Sequence, residues 1–273
     1  MVFTIKGKVA IITGGASGLG KQYAKELLRN GLKAVTLADL NQKLAIDALT
    51  ELENEFGPNR AIFVRTDVTQ KDSFEDAFKE TIKVFGVIDI LFNNAGILND
   101  AIWEKQILVN LNGMVHGMLL ALEKYLPDYQ QGPEAVVVNI SSIAGVIGSP
   151  HVPIYCATKH AVLGLTKSWG VSSFYRKFKV RVVAVCPGIT RTPLISDMAD
   201  RSLGTHYEEN GKDLAAFPVQ DPETAAKEVV EVVKYAPNGS VWVVEGGEPA
   251  YQYIFPEREE MKKNVLPKNN SIA

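Results

Sequence analysis

Short apolar runs rich in β-branched residues alternate with longer segments whose apolar positions recur every three or four residues. The runs are Val9–Ile12, Ala34–Leu37, Ala61–Val64, Ile88–Phe92, Ala135–Ile140, Val180–Val185 and Val241–Val244. Between them the periodicity predicts helices near 18–30, 41–56, 71–85, 101–126, 153–178 and 222–235. In the first, Leu19, Tyr23, Ala24, Leu27 and Leu28 share a face, and Asn30-Gly31 is a stop signal. In the third, Thr69 or Asp72 is the expected cap, and Phe74, Phe78, Ile82 and Phe85 form one stripe before Gly86. Runs apolar throughout fit strands buried on both faces. Strand–helix alternation of this kind predicts an α/β fold: one doubly wound parallel sheet with helices on both sides. Residues 1–247 read as a single domain. Two stretches break the pattern, 188–220 and a tail over 248–273, expected to be partly ordered and to sit at the pocket or a subunit contact.

Composition narrows the class. Of 273 residues, 46% are hydrophobic and 22% charged, which excludes a disordered, collagenous or coiled-coil chain. Twenty-nine basic against 31 acidic residues leave a net charge of -2, so nothing points to nucleic acid as a partner. No apolar run is long enough to predict a membrane span, and Met1–Lys8 lacks the layout of a signal peptide. Two cysteines, Cys156 and Cys186, make no disulfide framework. No metal-ligand spacing is present. The expectation is a soluble, cytoplasmic protein without a metal.

Three features carry chemistry. Thr13-Gly14-Gly15-Ala16-Ser17-Gly18-Leu19-Gly20 follows the first strand and opens the first helix. Such glycines let the backbone turn tightly beside a pyrophosphate, and the helix N-terminus offers free N–H groups to it. The spacing is not that of a P-loop, and the Lys and Ser/Thr that ATP would need are missing. Asp39 ends the second strand; a carboxylate there can bond adenosine ribose hydroxyls and repel a 2′-phosphate, or simply serve the turn into the next helix. No Lys or Arg lies within 13–20 or 40–42, so the expected cofactor is NAD rather than NADP. Finally, Tyr155 and Lys159 lie one turn apart on a helix face, with Ser142 at the end of the fifth strand and Asn110 in the long helix before it. Ser141 and Asn112 are adjacent rivals for the last two places.

In order and spacing, Thr13-Gly14…Gly18-x-Gly20, Asn93-Asn94-Ala95-Gly96, Asn110, Ser142, Tyr155-xxx-Lys159 and Pro187-Gly188 resemble the motifs of the short-chain dehydrogenases/reductases, over about residues 5–247. Within that family, Tyr155-Cys156-Ala157-Thr158-Lys159-His160, Trp103-Glu104-Lys105 and Cys186-Pro187-Gly188 are similar to the hydroxyprostaglandin dehydrogenase branch. Ala95–Asp100, Pro187–Thr192 and Asn238–Trp242 are similar to the insect-type alcohol dehydrogenase branch. Both branches use NAD. The prostaglandin branch has a glutamine three residues before its tyrosine; here that position is Val152, with His151 beside it.

The resemblance implies roles. Tyr155 is the general base in alcohol oxidation and the acid in ketone reduction. Lys159 bonds the nicotinamide ribose and favours the phenolate, Ser142 holds the substrate oxygen, and Asn110 anchors a water in a proton relay. Gly14, Ser17, Gly18, Leu19, Gly20 and Asp39 hold the phosphates and ribose. Asp67, Val68, Asn93, Ala95 and Gly96 line the adenosine side, with Asp67 also readable as a helix N-cap and Asn93 as a brace between strands, and Pro187, Gly188, Ile189 and Thr192 the nicotinamide side. Val146, Ile147, His151, Val152, Leu194, Met198 and Phe217 are the expected pocket lining. The activity implied is hydride transfer between NAD and an apolar secondary alcohol or its ketone. A dehydrogenase specific for a prostaglandin, steroid or terpenoid alcohol is the alternative, as is a non-catalytic dinucleotide-binding regulator on the same fold. Ile102, Leu108, Leu111, Val115, Leu119 and Leu122 cover more than one stripe of their helix, which predicts a homodimer, since a second apolar face must be buried somewhere.

Overall fold

A computed structural model of the chain describes residues 2–196, 201–208 and 217–261. The chain runs β1 (Val9–Thr13), α1 (Gly18–Arg29), β2 (Ala34–Asp39), α2 (Gln42–Phe56), β3 (Ala61–Arg65), α3 (Lys71–Phe85) and β4 (Ile90–Asn93). A long helical rod follows: α4 (Trp103–Ile107), α5 (Gly113–Leu120) and α6 (Leu126–Tyr129), joined by π-helical turns at Leu108–Asn112 and Ala121–Tyr125. Then come β5 (Ala135–Ile140), α7 (Pro153–Trp169), α8 (Ser172–Phe178), β6 (Val180–Pro187), β7 (Ile189–Thr190), α9 (Thr205–Glu208), β8 (Val219–Gln220), α10 (Pro222–Tyr235), β9 (Val241–Val244) and β10 (Tyr251–Tyr253).

Eight strands form the main sheet in the order β3-β2-β1-β4-β5-β6-β9-β10; all are parallel except β10, which pairs antiparallel with β9. The apolar runs are continuous because alternate side chains enter different cores. Ala10, Ile12, Ile90, Phe92, Val136 and Val138 pack with α1, α2 and α10, while Ile11, Leu91 and Val137 pack with α3 and the α5–α6 rod. β1 lies between β2 and β4, so the winding reverses there and opens a crevice at the carboxyl ends of β1 and β4. Among the described residues no helix is long and apolar enough to cross a membrane.

Four expectations need correction. The helix over 153–178 is two helices, because Gly170 meets the chain entering β9: a Cβ on it would sit 2.3 Å from Gly239 Cα. The helix over 101–126 starts in a 3-10 turn at Asp100–Ile102 and is interrupted by the two π turns. Neither Thr69 nor Asp72 caps α3. Its N-cap is Gln70, without a side-chain bond, and Thr69 instead donates its N–H and hydroxyl to Asp67 at 3.0 and 2.7 Å. The strands also reach past their apolar runs to Thr13, Asp39, Asn93 and Pro187, all on the crevice side.

Candidate active site

The cradle begins at the end of β1. The Thr13 hydroxyl donates to the Phe92 carbonyl (3.3 Å) and accepts from the N–H groups of Asn94 and Ala95 (both 2.9 Å). Asn94 Nδ2 donates to the Thr13 carbonyl at 2.7 Å, so the loops after β1 and β4 are locked together. Between them Gly14 and Gly18 take φ values of +62° and +52°, open to glycine and strained for other residues. A Cβ on Gly20 would lie 2.2 Å from the Gly14 carbonyl oxygen, so α1 can approach the loop only through a glycine. Ser17 is the N-cap of α1 and makes no side-chain bond, there is no acidic residue in the first turn, and Leu19 packs on the core beneath.

The Asp39 carboxylate accepts from Ala16 N at 3.0 Å and Asn41 N at 2.9 Å, fixing it against the same loop. A bare glycine turn, a helix N-terminus and an adjoining carboxylate suit a dinucleotide with a free ribose diol. Val68 is buried, and its carbonyl is 2.9 Å from His116 Nδ1. Asp67 is held by Thr69. Asn93 takes the structural one of its two expected uses: its amide donates to the Met114 carbonyl (2.9 Å) and is 3.5 Å from Asn139 Oδ1, joining β4 to α5 and β5 beneath the crevice. Pro187 ends β6, Gly188 N donates to the Val244 carbonyl (2.8 Å), and a Cβ on Gly18 would be 3.6 Å from the Thr192 side chain. Ile189, half-buried in β7, pairs with Val219.

The other wall comes from β5, α7 and the π turn of the rod. Ser142, two residues past the end of β5, caps the 3-10 turn Ile143–Gly145, its Oγ accepting from Ala144 N at 3.2 Å. Its neighbour Ser141 donates instead to the Lys159 carbonyl (2.8 Å), away from the crevice. Tyr155 and Lys159 are both buried on α7. The Lys159 ammonium donates to the Ile140 carbonyl (3.0 Å) and lies 5.6 Å from the Tyr155 ring centre. Burial pushes the Tyr155 hydroxyl up to about 12, opposed by its hydrogen bond with Ser142, and burial pushes Lys159 down to about 8. Asn110 is buried and Asn112 exposed. A Cβ on Gly96 would be 3.3 Å from Asn110 Oδ1 and 3.5 Å from Lys159 Nζ, so these three groups meet at one point. Asn110 exchanges bonds with Ile97, accepting from its N–H and donating to its carbonyl, both at 2.8 Å, and lies 3.2 Å from Thr158 Oγ1.

Around Tyr155 an apolar cluster forms from Leu98, Ala144, Val152 and Cys156, with Leu194 packed against it. Val146 is not part of it. It packs with Leu163, Cys186 and Val243 beneath Tyr253 and Phe255, on the side covered by the tail. Ile147 is exposed. His151 is buried with Nδ1 2.9 Å from the Tyr207 carbonyl, so that nitrogen tethers α9. Phe217 is half-buried, and Met198 lies outside the described residues. Among the described residues no cluster of three or more metal-ligating side chains occurs.

The family model for the short chain dehydrogenases matches residues 8–202. The chain belongs to this family. Among its relatives, 15-hydroxyprostaglandin dehydrogenase (NAD+) of Mus musculus is 33% identical over 87% of this chain and 89% of its own. Alcohol dehydrogenase 1 of Ceratitis cosyra is 30% identical over 89% and 94%. The solved structure of a 3-ketoacyl-(acyl-carrier-protein) reductase from Brucella melitensis, complexed with NADH, matches with a TM-score of 0.73 and 26% identity, covering 89% of this chain and 98% of that one.

Set in a short-chain dehydrogenase, three polar residues stand out that the motif reading leaves unassigned. Asn94 joins the two cofactor-side loops. Asp100 and Gln106 are fully buried and bonded to each other at 2.7 Å. Their signal in the sequence is faint, since polar residues at a helix start are ordinarily solvated.

Proposed function

We propose that this enzyme oxidises an apolar secondary alcohol, or reduces the matching ketone, with NAD, through Tyr155, Lys159 and Ser142. The observation that carries the reading is the meeting of Ser142, Tyr155, Lys159 and Asn110 beside the glycine cradle. Bound NAD+ supplies the hydride acceptor and a second positive charge. The Tyr155 hydroxyl takes the proton of the alcohol, and Ser142 Oγ orients the same oxygen. A hydroxyl held at about 12 is a poor base near neutrality; bringing it to ~8 takes on the order of 5 kcal/mol. Lys159, cationic below about 8, contributes to that and bonds the cofactor ribose. Asn110 has its amide committed to Ile97 and Thr158, so it serves the relay by fixing the loop after Gly96 rather than by holding a water with its side chain.

The apolar cluster of Leu98, Ala144, Val152, Cys156 and Leu194 around Tyr155 supports an apolar substrate, and the relatives named for an alcohol and a hydroxyprostaglandin agree with that class. Val152 offers no second polar contact, which favours a simple alcohol over a prostaglandin-type substrate. The enzyme is a homodimer in this reading: Ile102, Trp103 and Leu108 are exposed along the rod, continuous with half-buried Leu111, Val115 and Leu119, whereas Leu122 is core. Two free buried thiols fit a cytoplasmic location. A panel of alcohols with NAD is the test. Each added methylene contributes ~0.8 kcal/mol, so two should raise kcat/KM roughly tenfold until the pocket fills. Preference for polyols or charged hydroxy acids overturns the substrate class.

A further inference from the structure

The helix that carries Tyr155 and Lys159 does not cap itself. Its N-cap, Val152, has no side-chain bond, and Pro153 at the first position has no N–H. The next two N–H groups belong to Ile154 and Tyr155. Both donate to one carboxylate far back in the chain: Ile154 N to Asp100 Oδ2 at 2.8 Å, Tyr155 N to Asp100 Oδ1 at 2.9 Å. Asp100 is fully buried, and a third donor, Gln106 Nε2, reaches Oδ1 at 2.7 Å. A buried carboxylate is costly unless fully paired, and here a helix N-terminus and an amide pair it.

Gln106 is fully buried too, and its carbonyl accepts from Asn99 N at 2.6 Å. It sits one helical turn before Asn110. Asp100 N in turn donates to the Arg201 carbonyl (2.7 Å), and Arg201 Nη1 donates to the Leu194 carbonyl (2.7 Å). Leu194 packs in the cluster around Tyr155.

We propose that Asp100, held by Gln106, is the positioning residue of this active site: it sets Tyr155 against Asn110 and ties both, through the Arg201 backbone, to Leu194 of the cluster around Tyr155. The inference rests on the reading of Tyr155 as the proton-transferring group. The carboxylate touches no reacting atom; it acts through the Tyr155 backbone.

In Asp100→Asn an amide N–H must face one of three donors, so at least one bond becomes a repulsion. Small misplacements of a reacting group are expensive, and kcat should fall ~10-fold or more. The cofactor cradle lies on β1, α1 and β2, so the KM for NAD should stay within about twofold by the separation of binding from chemistry. Gln106→Met keeps the helix bonds of Asp100 but removes its support, and should lower kcat by less. It also keeps the test alive if Asp100→Asn does not fold. In the double variant the losses should be non-additive, close to Asp100→Asn alone. Hydrogen exchange gives a readout independent of turnover: amides in the 152–157 segment should exchange faster in Asp100→Asn, those around 162–166 unchanged. Unchanged kcat, additive losses, a KM for NAD rising as much as kcat falls, or unaltered exchange each overturn the proposal. If the wild-type chain turns over no alcohol while exchange responds as stated, the functional reading fails and the anchoring role of Asp100 stands.

Discussion

Burial pushes both Tyr155 and Lys159 toward their neutral forms, against the phenolate and ammonium that the proposed mechanism uses, and this should set how the enzyme answers to pH. Oxidation needs the phenolate, which burial disfavours by holding the hydroxyl at about 12, so kcat for oxidation should rise with pH. Ketone reduction needs the neutral phenol and should move the other way. The rise should flatten as Lys159, at about 8, loses its charge and no longer favours the phenolate. Lys159→Met should shift the rising limb to higher pH; an unchanged profile contradicts the pairing. Asp39 is the residue proposed to select the cofactor. A 2′-phosphate beside its carboxylate meets a repulsion of ~2–3 kcal/mol, about a 30–150-fold preference for NAD. Asp39→Asn should gain NADP use, measured as kcat/KM for each cofactor. It should also lose some NAD use, because one of the bonds to Ala16 N and Asn41 N is weakened. That Ser142, Tyr155 and Lys159 come together was legible, because the motif spaces these residue types at fixed offsets. Asp100 was not, since its partners lie 54 and 55 positions away.

Among the elements, every apolar run became a strand; β1, β2, β3, β4 and β6 continue one or two residues past their runs, β4 also begins later, and β5 and β9 end with theirs. Hydropathy marks where the core ends, whereas the ladder of backbone bonds goes on to Thr13, Asp39 and Asn93 at the edge of the crevice. The π turns at Leu108–Asn112 and Ala121–Tyr125 escape a reading based on 3.6-residue periodicity, because one extra residue per turn shifts a stripe without erasing it. The break between α7 and α8 escaped for a different reason. Gly170 is dictated by Gly239, which is close only in the folded chain. Gly170→Ala puts a Cβ into that contact and should destabilise the fold by about 1–3 kcal/mol, read as a lower denaturation midpoint. An unshifted midpoint would show that the two loops can part at no cost.

At the scale of the molecule, the topology places a dinucleotide cradle on one side of the winding reversal and Ser142, Tyr155 and Lys159 on the other. β10 adds an antiparallel strand after the expected domain end at 247, and with Phe255 it covers Ile143 and Val146, the segment directly after Ser142. The exposed stripe on the rod gives an assembly prediction. Light scattering should find a particle of twice the chain's 29.9 kDa, and Leu108→Arg should return it to one chain. A wild-type monomer at micromolar concentration contradicts the dimer. Hydride transfer from a carbinol carbon to NAD leaves an isotopic signature. The direct test uses a medium-chain secondary alcohol deuterated at that carbon, incubated with NAD and the purified protein, with the reduced cofactor read by mass spectrometry. The reduced cofactor should carry the deuterium, with none formed by the Tyr155→Phe variant on the same timescale. Reduced cofactor without the label, or equal turnover by Tyr155→Phe, would contradict this mechanism.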